Sequence, residues 1–356
     1  MLSSTRLNIV EELCGFSATQ RDDDALDKKV GVAVVGAGFV GGQAHVPAFN
    51  KIPGSELVAL GDQVEERIKK YADKYHVKYY LDYDQLLNDP RVQAVVLAVP
   101  TPFHYEMSMK AIGKGKHVLC EMPLAPRASE AERLGKEAEK AGITLMPVLN
   151  FRFTPNYVKA KELIDAGKIG KPLAVSFREF IAAKDLAMQW PANSWAWSIE
   201  KSGGYPDFTL SVWSIDLLRW LLDAEINEVE WKSSYAPLKE YGGIKSYNTM
   251  GLVKFSTGAV AALHFSSMVA PVAGTSRLEV FGDKTYNLLA NWNDSLTLVG
   301  QDPERQEWVF REGGTKVWGH YQLDEYFIQC ILKGQKPKIT AEDAVKAIEV
   351  ASKIVK

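Results

Sequence analysis

Six residues, Gly36-Ala37-Gly38-Phe39-Val40-Gly41, have the spacing that brings a backbone up against a phosphate. The first glycine permits a tight turn, the second admits the close approach of a pyrophosphate, and the third lets the following helix pack on the preceding strand. A helix N-terminus then offers unpaired N–H groups and a partial positive charge to the anion. The run before them, VGVAVV, is β-branched and apolar and reads as a buried strand, which is the context such a glycine pattern needs. Asp62 stands 21 positions beyond Gly41, at the end of the next apolar strand. A carboxylate there accepts hydrogen bonds from adenosine ribose hydroxyls and repels a 2′-phosphate, so the expected dinucleotide is NAD, with NADP the poorer fit. Gly36, Gly38, Phe39, Val40, Gly41 and Asp62 are the first group of candidate cofactor contacts.

A second group lies in Ala94–Pro123, which reads as buried strand, helix, buried strand. Its strands run out into two loops, PTPFH (Pro100–His104) and CEMP (Cys120–Pro123). The carboxyl ends of strands in an open parallel sheet face the ligand crevice. Pro100, Thr101, His104, Glu121 and Met122 are therefore expected to wall the nicotinamide half of the cofactor. His45, two positions before Pro47, reads as a packed or capping histidine instead of a catalyst.

Other residues have the chemistry to hold a small substrate. Arg152, just past the last strand of this half, could clamp a carboxylate or sugar hydroxyls bidentately, or form a structural ion pair. Trp195 in QWPANSWAW is the candidate aromatic wall, whereas Trp197 reads as core. Proton transfer has candidates in Lys184, Asp185, Tyr205, Asp207 and His264. A tyrosine such as Tyr205 can donate a proton to a carbonyl being reduced.

The elements that must position these groups fall into two patterns. From Val30 to Leu149, apolar strands alternate with amphipathic helices, which means βαβ units and a parallel sheet. After Phe151 come longer strands with few helices, including a hairpin at Ser256-Thr257-Gly258. The expected architecture is α/β: a Rossmann domain over 29–150 and an α+β domain over 151–356 built on a large, mostly antiparallel open sheet, with the last helices free to pack back on the Rossmann domain. Residues 1–28 stand apart as an extension, with a short helix over Leu7–Phe16 and a charged linker, RDDDALDKK.

Composition excludes several classes. The chain has 356 residues, 46% of them hydrophobic and 24% charged, with a formal net charge of −2, which argues against nucleic acid as the main partner. Three cysteines without a CxxC or a cysteine–histidine cluster of zinc spacing give no expectation of a metal site. The same sparse count suits a reducing cytoplasm. No apolar run is long enough to span a bilayer, and Asn8, Glu11 and Glu12 interrupt the start of the chain, so no membrane partner or secretory signal is expected.

Taken together, GAGFVG, AVPTPFH, GKHVLCEMP, NFRFTP (Asn150–Pro155) and the GKIGKP turn (Gly167–Pro172) resemble the Gfo/Idh/MocA family of NAD(P)-dependent sugar and inositol oxidoreductases, from about Val30 to the C-terminus. The resemblance implies hydride transfer between NAD and a polyol, sugar or related carbonyl substrate, and homo-oligomers formed through the C-terminal sheet. It also implies a lysine between the glutamate and proline of CEMP, where this chain has Met122. The family's aspartate and histidine positions align, within SGGYPDFTLSVWSIDLL, with Thr209 and Trp213. A register shifted by two would instead place Asp207 at the aspartate position. Thr209 and Trp213 then become candidate substrate contacts, and the proton-transfer role passes to Tyr205, Asp207 or Lys184. Two alternatives stay open: an NAD-binding sensor or scaffold without turnover, and an NAD-assisted lyase or hydrolase.

Overall fold

In the computed structural model, residues 28–269, 275–291, 295–300, 305–310 and 318–355 are described. The expectations for residues 1–27 lie outside them. The chain opens with β1 (Val30–Val35), a π-helical turn (Gly41–His45) leading into α1 (Val46–Phe49), β2 (Ser55–Gly61), α2 (Glu65–Tyr75), β3 (Lys78–Tyr80), α3 (Tyr83–Leu87), β4 (Ala94–Leu97), α4 (His104–Gly113), β5 (His117–Cys120), α5 (Ala128–Lys140) and β6 (Leu145–Pro147). It continues with α6 (Pro155–Asp165), β7 (Pro172–Ala182), α7 (Ala183–Gln189), α8 (Ile199–Ser202), α9 (Pro206–Leu222), β8 (Ile226–Leu238), β9 (Ile244–Phe255), β10 (Val260–Val269), β11 (Thr275–Gly282), β12 (Asn287–Asn291), β13 (Ser295–Val299) and β14 (Arg305–Val309). Helices α10 (His320–Lys333) and α11 (Ala341–Ala351) follow.

Two compact units are present, one formed by the chain up to Phe153 with Gly314–Val345, the other by Thr154–Gly313 with Lys346–Lys356. The first holds a six-stranded sheet in the order β3-β2-β1-β4-β5-β6, parallel throughout. Its central strands are buried on both faces, as β1 and β4 show along their whole length, and that is why they read as unbroken apolar runs. Helix α5 covers one face with Ala131, Leu134 and Ala138, spaced three and four apart on one stripe. Strand order reverses between β1 and β4, the switch point at which such sheets bind ligands.

The second unit holds an eight-stranded sheet in the order β14-β13-β12-β11-β7-β10-β9-β8. All its pairings are antiparallel except β7 with β10. One face is covered, and the other carries exposed apolar side chains: Met250, Leu252, Val260 and Phe281. The Ser256–Gly258 turn joins β9 to β10, with Gly258 at φ +88°. Strands β3, β12 and β14 were not expected. Edge strand β3 has only three residues, Lys-Tyr-Tyr, too few to show a pattern, and β14 is an exposed edge strand whose Arg, Gln and Glu leave no run of apolar residues. Among the described residues no helix is long and apolar enough to cross a membrane.

Candidate functional site

The turn after β1 is built around two glycines that no other residue replaces. Gly36 has φ +95°, and a Cβ on it would lie 2.3 Å from the Ala98 carbonyl oxygen. A Cβ on Gly41 would lie 1.8 Å from the Gly36 carbonyl oxygen. Gly38 differs: nothing lies within 4 Å of the position its Cβ would take. That open space above the turn is where a pyrophosphate approaches backbone in this motif. Asp62 closes one side. Its Oδ2 accepts the Ala37 N–H at 2.8 Å, its Oδ1 accepts the Val64 N–H at 2.9 Å, and Arg67 Nη1 stands 3.4 Å from Oδ2. A carboxylate has about four acceptor positions, so it keeps capacity for ribose hydroxyls. These residues fit a dinucleotide. Phe39, 52% exposed, has its ring 5.7 Å from that of Trp318.

The loops after β4 and β5 are tied together by His104. It is buried, with Nδ1 2.7 Å from the Pro123 carbonyl and Nε2 2.8 Å from the Val99 carbonyl. Burial lowers its pKa, and the two carbonyls oppose that shift. His104 therefore holds the two loops in register and presents neither nitrogen outward. Thr101 is buried as well, and Pro100 is partly exposed. Met122 is 3% exposed, and its N–H donates to Glu121 Oε2 at 3.3 Å.

Glu121 belongs to a buried cluster that the sequence does not announce. Its Oε1 lies 3.0 Å from His45 Nε2 and 3.3 Å from His320 Nε2. His45 Nδ1 lies 3.0 Å from each Asp324 oxygen. Burial alone would lower the His45 pKa, but Asp324 and Glu121 raise it to about 10. Burial likewise opposes ionisation of Glu121, yet His320 and His45 bring it down to about 2. His45 is thus a packed and paired histidine. Arg152 is also paired, its Nη2 2.8 Å from Asp343 Oδ1, both within the first unit.

In the second unit, α9 carries two distinct faces. Asp207 and Ser214 point at the sheet: Asp207 Oδ2 accepts Thr249 Oγ1 at 2.6 Å and Tyr235 OH at 2.8 Å, and Ser214 Oγ donates to Glu179 Oε2 at 2.8 Å. Thr209, two residues past Asp207, is rotated about 200° around the helix axis from it, and Trp213 follows one turn later on the Thr209 side. Asp207 and Thr209 thus lie on different sides of α9. Thr209 is 2% exposed, and its Oγ1 has no hydrogen-bond partner among the described residues.

Tyr205 is the N-cap residue of α9. Its OH accepts a hydrogen bond from Lys245 Nζ at 2.7 Å, and the same ammonium lies 4.3 Å from the ring centroid. Lys184 and Asp185 are exposed at the start of α7. His264 pairs across the sheet with Arg178 and Met250, on the open face away from α9. Trp195 packs edge-on against Trp190 at 5.9 Å, and Trp197 Nε1 donates to the carbonyls of Trp190 and Pro191 at 3.0 Å. The partners Lys245, Glu179, His320 and Asp324 had no signal in the sequence, since each meets its site only through strand pairing or helix packing.

Family models cover most of the chain. The model described as "Oxidoreductase family, NAD-binding Rossmann fold" matches residues 30–148, and that described as "GFO/IDH/MocA C-terminal domain" matches 157–286. The chain belongs to the Gfo/Idh/MocA oxidoreductase family. This Gfo/Idh/MocA protein is 29% identical over 326 residues to a myo-inositol 2-dehydrogenase of Thermotoga maritima, covering 89% of this chain and 92% of that one. It is 27% identical over 330 residues to a scyllo-inositol 2-dehydrogenase (NAD(+)) of Bacillus subtilis, covering 91% and 93%. A levoglucosan dehydrogenase solved with NADH and levoglucosan shares the fold, with a TM-score of 0.79 and 21% identity over 92% of this chain and 96% of that one. The first unit of this family member is its NAD-binding Rossmann domain.

Proposed function

We propose that this Gfo/Idh/MocA chain moves a hydride between NAD and a polyol, sugar or related carbonyl compound, and that Tyr205 handles the proton. The observation that carries the cofactor half is the open cradle at Gly38 flanked by the Asp62 carboxylate. NAD, when bound, accepts or supplies the hydride at its nicotinamide. Asp62 orients the adenosine ribose and disfavours a 2′-phosphate. Calorimetry is expected to show NAD binding at least about tenfold tighter than NADP, a gap of about 1.4 kcal/mol.

Alignment to the family's lysine, aspartate and histidine positions leaves Met122, Thr209 and Trp213, none of which serves as a base at neutral pH. Of the candidates that replace them, the Asp207 carboxylate is committed to Thr249 and Tyr235. Tyr205 is better disposed. Its oxygen accepts from Lys245, which leaves its own O–H to donate to a substrate oxygen. Donation in the reductive direction leaves a phenolate whose charge the Lys245 ammonium offsets, and in the oxidative direction that phenolate takes the hydroxyl proton. Thr209, Trp213, Trp195 and Arg152 remain the candidate substrate contacts, of which Arg152 answers first to Asp343. Tyr205→Phe is expected to reduce hydride transfer by roughly 10²–10⁴-fold with NAD affinity unchanged.

One observation favours a second reading, an NAD-binding sensor without turnover. Met122 and Thr209 are both buried, and Thr209 Oγ1 pairs with nothing described. That reading predicts tight NAD binding and no change in nicotinamide absorbance with any polyol, sugar or ketone.

A further inference from the structure

Among the described residues, one buried constellation joins Glu121, of the expected nicotinamide wall, to three residues that have no part in the proposed reaction. His45 comes from the π-helical turn, Glu121 from the loop after β5, and His320 and Asp324, four residues apart on one face, from the first two turns of α10. All four lie in the first unit and are at most 8% exposed. We propose that His45 Nε2, His320 Nε2 and Glu121 Oε1 form a binding site for a divalent transition-metal ion of the zinc class.

The three atoms converge, all within 4.8 Å of one another. Glu121 Oε1 is 3.0 Å from His45 Nε2 and 3.3 Å from His320 Nε2. Ligand atoms placed ~2.0–2.1 Å from a tetrahedral zinc ion are ~3.3 Å apart, so two edges of the coordination polyhedron are nearly in place. The outer shell is present too. Asp324 holds His45 Nδ1 with both oxygens at 3.0 Å, the carboxylate–histidine–metal arrangement that fixes the tautomer and leaves Nε2 with its lone pair toward the ion.

Charge and hydrogen bonding point the same way. Glu121 and Asp324 are two buried carboxylates, and a divalent cation that displaces the proton now held between them and His45 balances both, with the two imidazoles neutral. The arrangement as it stands directs two imidazole nitrogens at one carboxylate oxygen and leaves His320 Nδ1 buried with no hydrogen-bond partner among the described residues. Two imidazoles and a carboxylate suit zinc, cobalt(II) or iron(II), whereas magnesium and calcium prefer all-oxygen sets. Three protein ligands leave one position open.

The inference goes beyond the proposed reaction and is read without it. Full-length protein is stripped with a chelator and titrated with Co²⁺, following visible d–d absorption, then with Zn²⁺ as competitor. The expected result is one Co²⁺ per chain with the intense bands of a four-coordinate site, lost on adding one equivalent of Zn²⁺. His320→Ala and the near-isosteric Glu121→Gln are each expected to weaken binding by at least about tenfold, and Asp324→Asn by ~10–100-fold, with far-UV circular dichroism confirming that the variants are folded. Absence of Co²⁺ and Zn²⁺ binding by the wild-type protein overturns the site. So does affinity unchanged in folded His320→Ala or Glu121→Gln, which would mark a surface-bound ion.

Discussion

Tyr205 and Glu179 show how a neighbour decides what an ionisable side chain can do. Tyr205 meets a cation that occupies its lone pair and leaves its proton available. Its partner is tested directly: Lys245→Met is expected to lower hydride transfer in the same direction as Tyr205→Phe and to change the pH profile, and a profile unchanged from wild type counts against the pair. Among the described residues Glu179 meets the Ser214 hydroxyl and no cation, and burial pushes its pKa from the ordinary carboxylate value up to about 7. The folded state therefore holds this proton more tightly than the unfolded chain. Its contribution to stability is full below the unfolded value near 4.5 and is lost as pH rises toward 7. The full loss is about 3 kcal/mol for a shift of this size. Glu179→Gln is expected to remove that slope and stabilise the protein at pH 8, which denaturant unfolding at pH 5 and pH 8 measures. Equal slopes in wild type and variant would refute the assignment.

At the scale of elements, the glycine turn separates folding from binding. Gly41 abuts the Gly36 carbonyl, so Gly41→Ala forces backbone apart and is expected to destabilise the first unit. Gly38 faces open space, so Gly38→Ala is expected to keep its melting temperature but to weaken NAD at least about tenfold, because its methyl enters the phosphate's place. Thermal unfolding and calorimetry on the two variants check both halves. The cradle was legible in the sequence because strand, glycines, helix and Asp62 are local and periodic. The two sheets were legible for the same reason. Edge strand β3 was not, since three residues carry no period, nor was β14, whose exposure removes the apolar pattern. Nor was the pairing of Tyr205 with Lys245, 40 residues apart, or the meeting of His45 with Asp324, 279 apart. Such contacts depend on sheet order and helix packing, which single-sequence spacing does not encode.

At the scale of the molecule, the second unit leaves one sheet face uncovered. Met250 and Leu252 on β9 and Val260 on β10 are 50–66% exposed, and strand register sets Leu252 opposite Ala262 and Val260 opposite Lys254. An apolar sheet face of this kind is expected to be buried against a second copy of the chain. Leu252→Asp places a charge at its centre and is expected to convert an oligomer to monomer in analytical ultracentrifugation, with NAD binding retained; a wild-type monomer would exclude this role for the face. The most direct test of the proposed NAD-linked activity is to follow nicotinamide absorbance when the purified protein and NAD or NADH are mixed with inositols, sugars and their keto forms, alongside Tyr205→Phe. Substrate-dependent hydride transfer is expected with at least one of these compounds, with a loss of roughly 10²–10⁴-fold in the variant. Tight NAD binding with no absorbance change across that panel, or a Tyr205→Phe variant as fast as wild type, would contradict it.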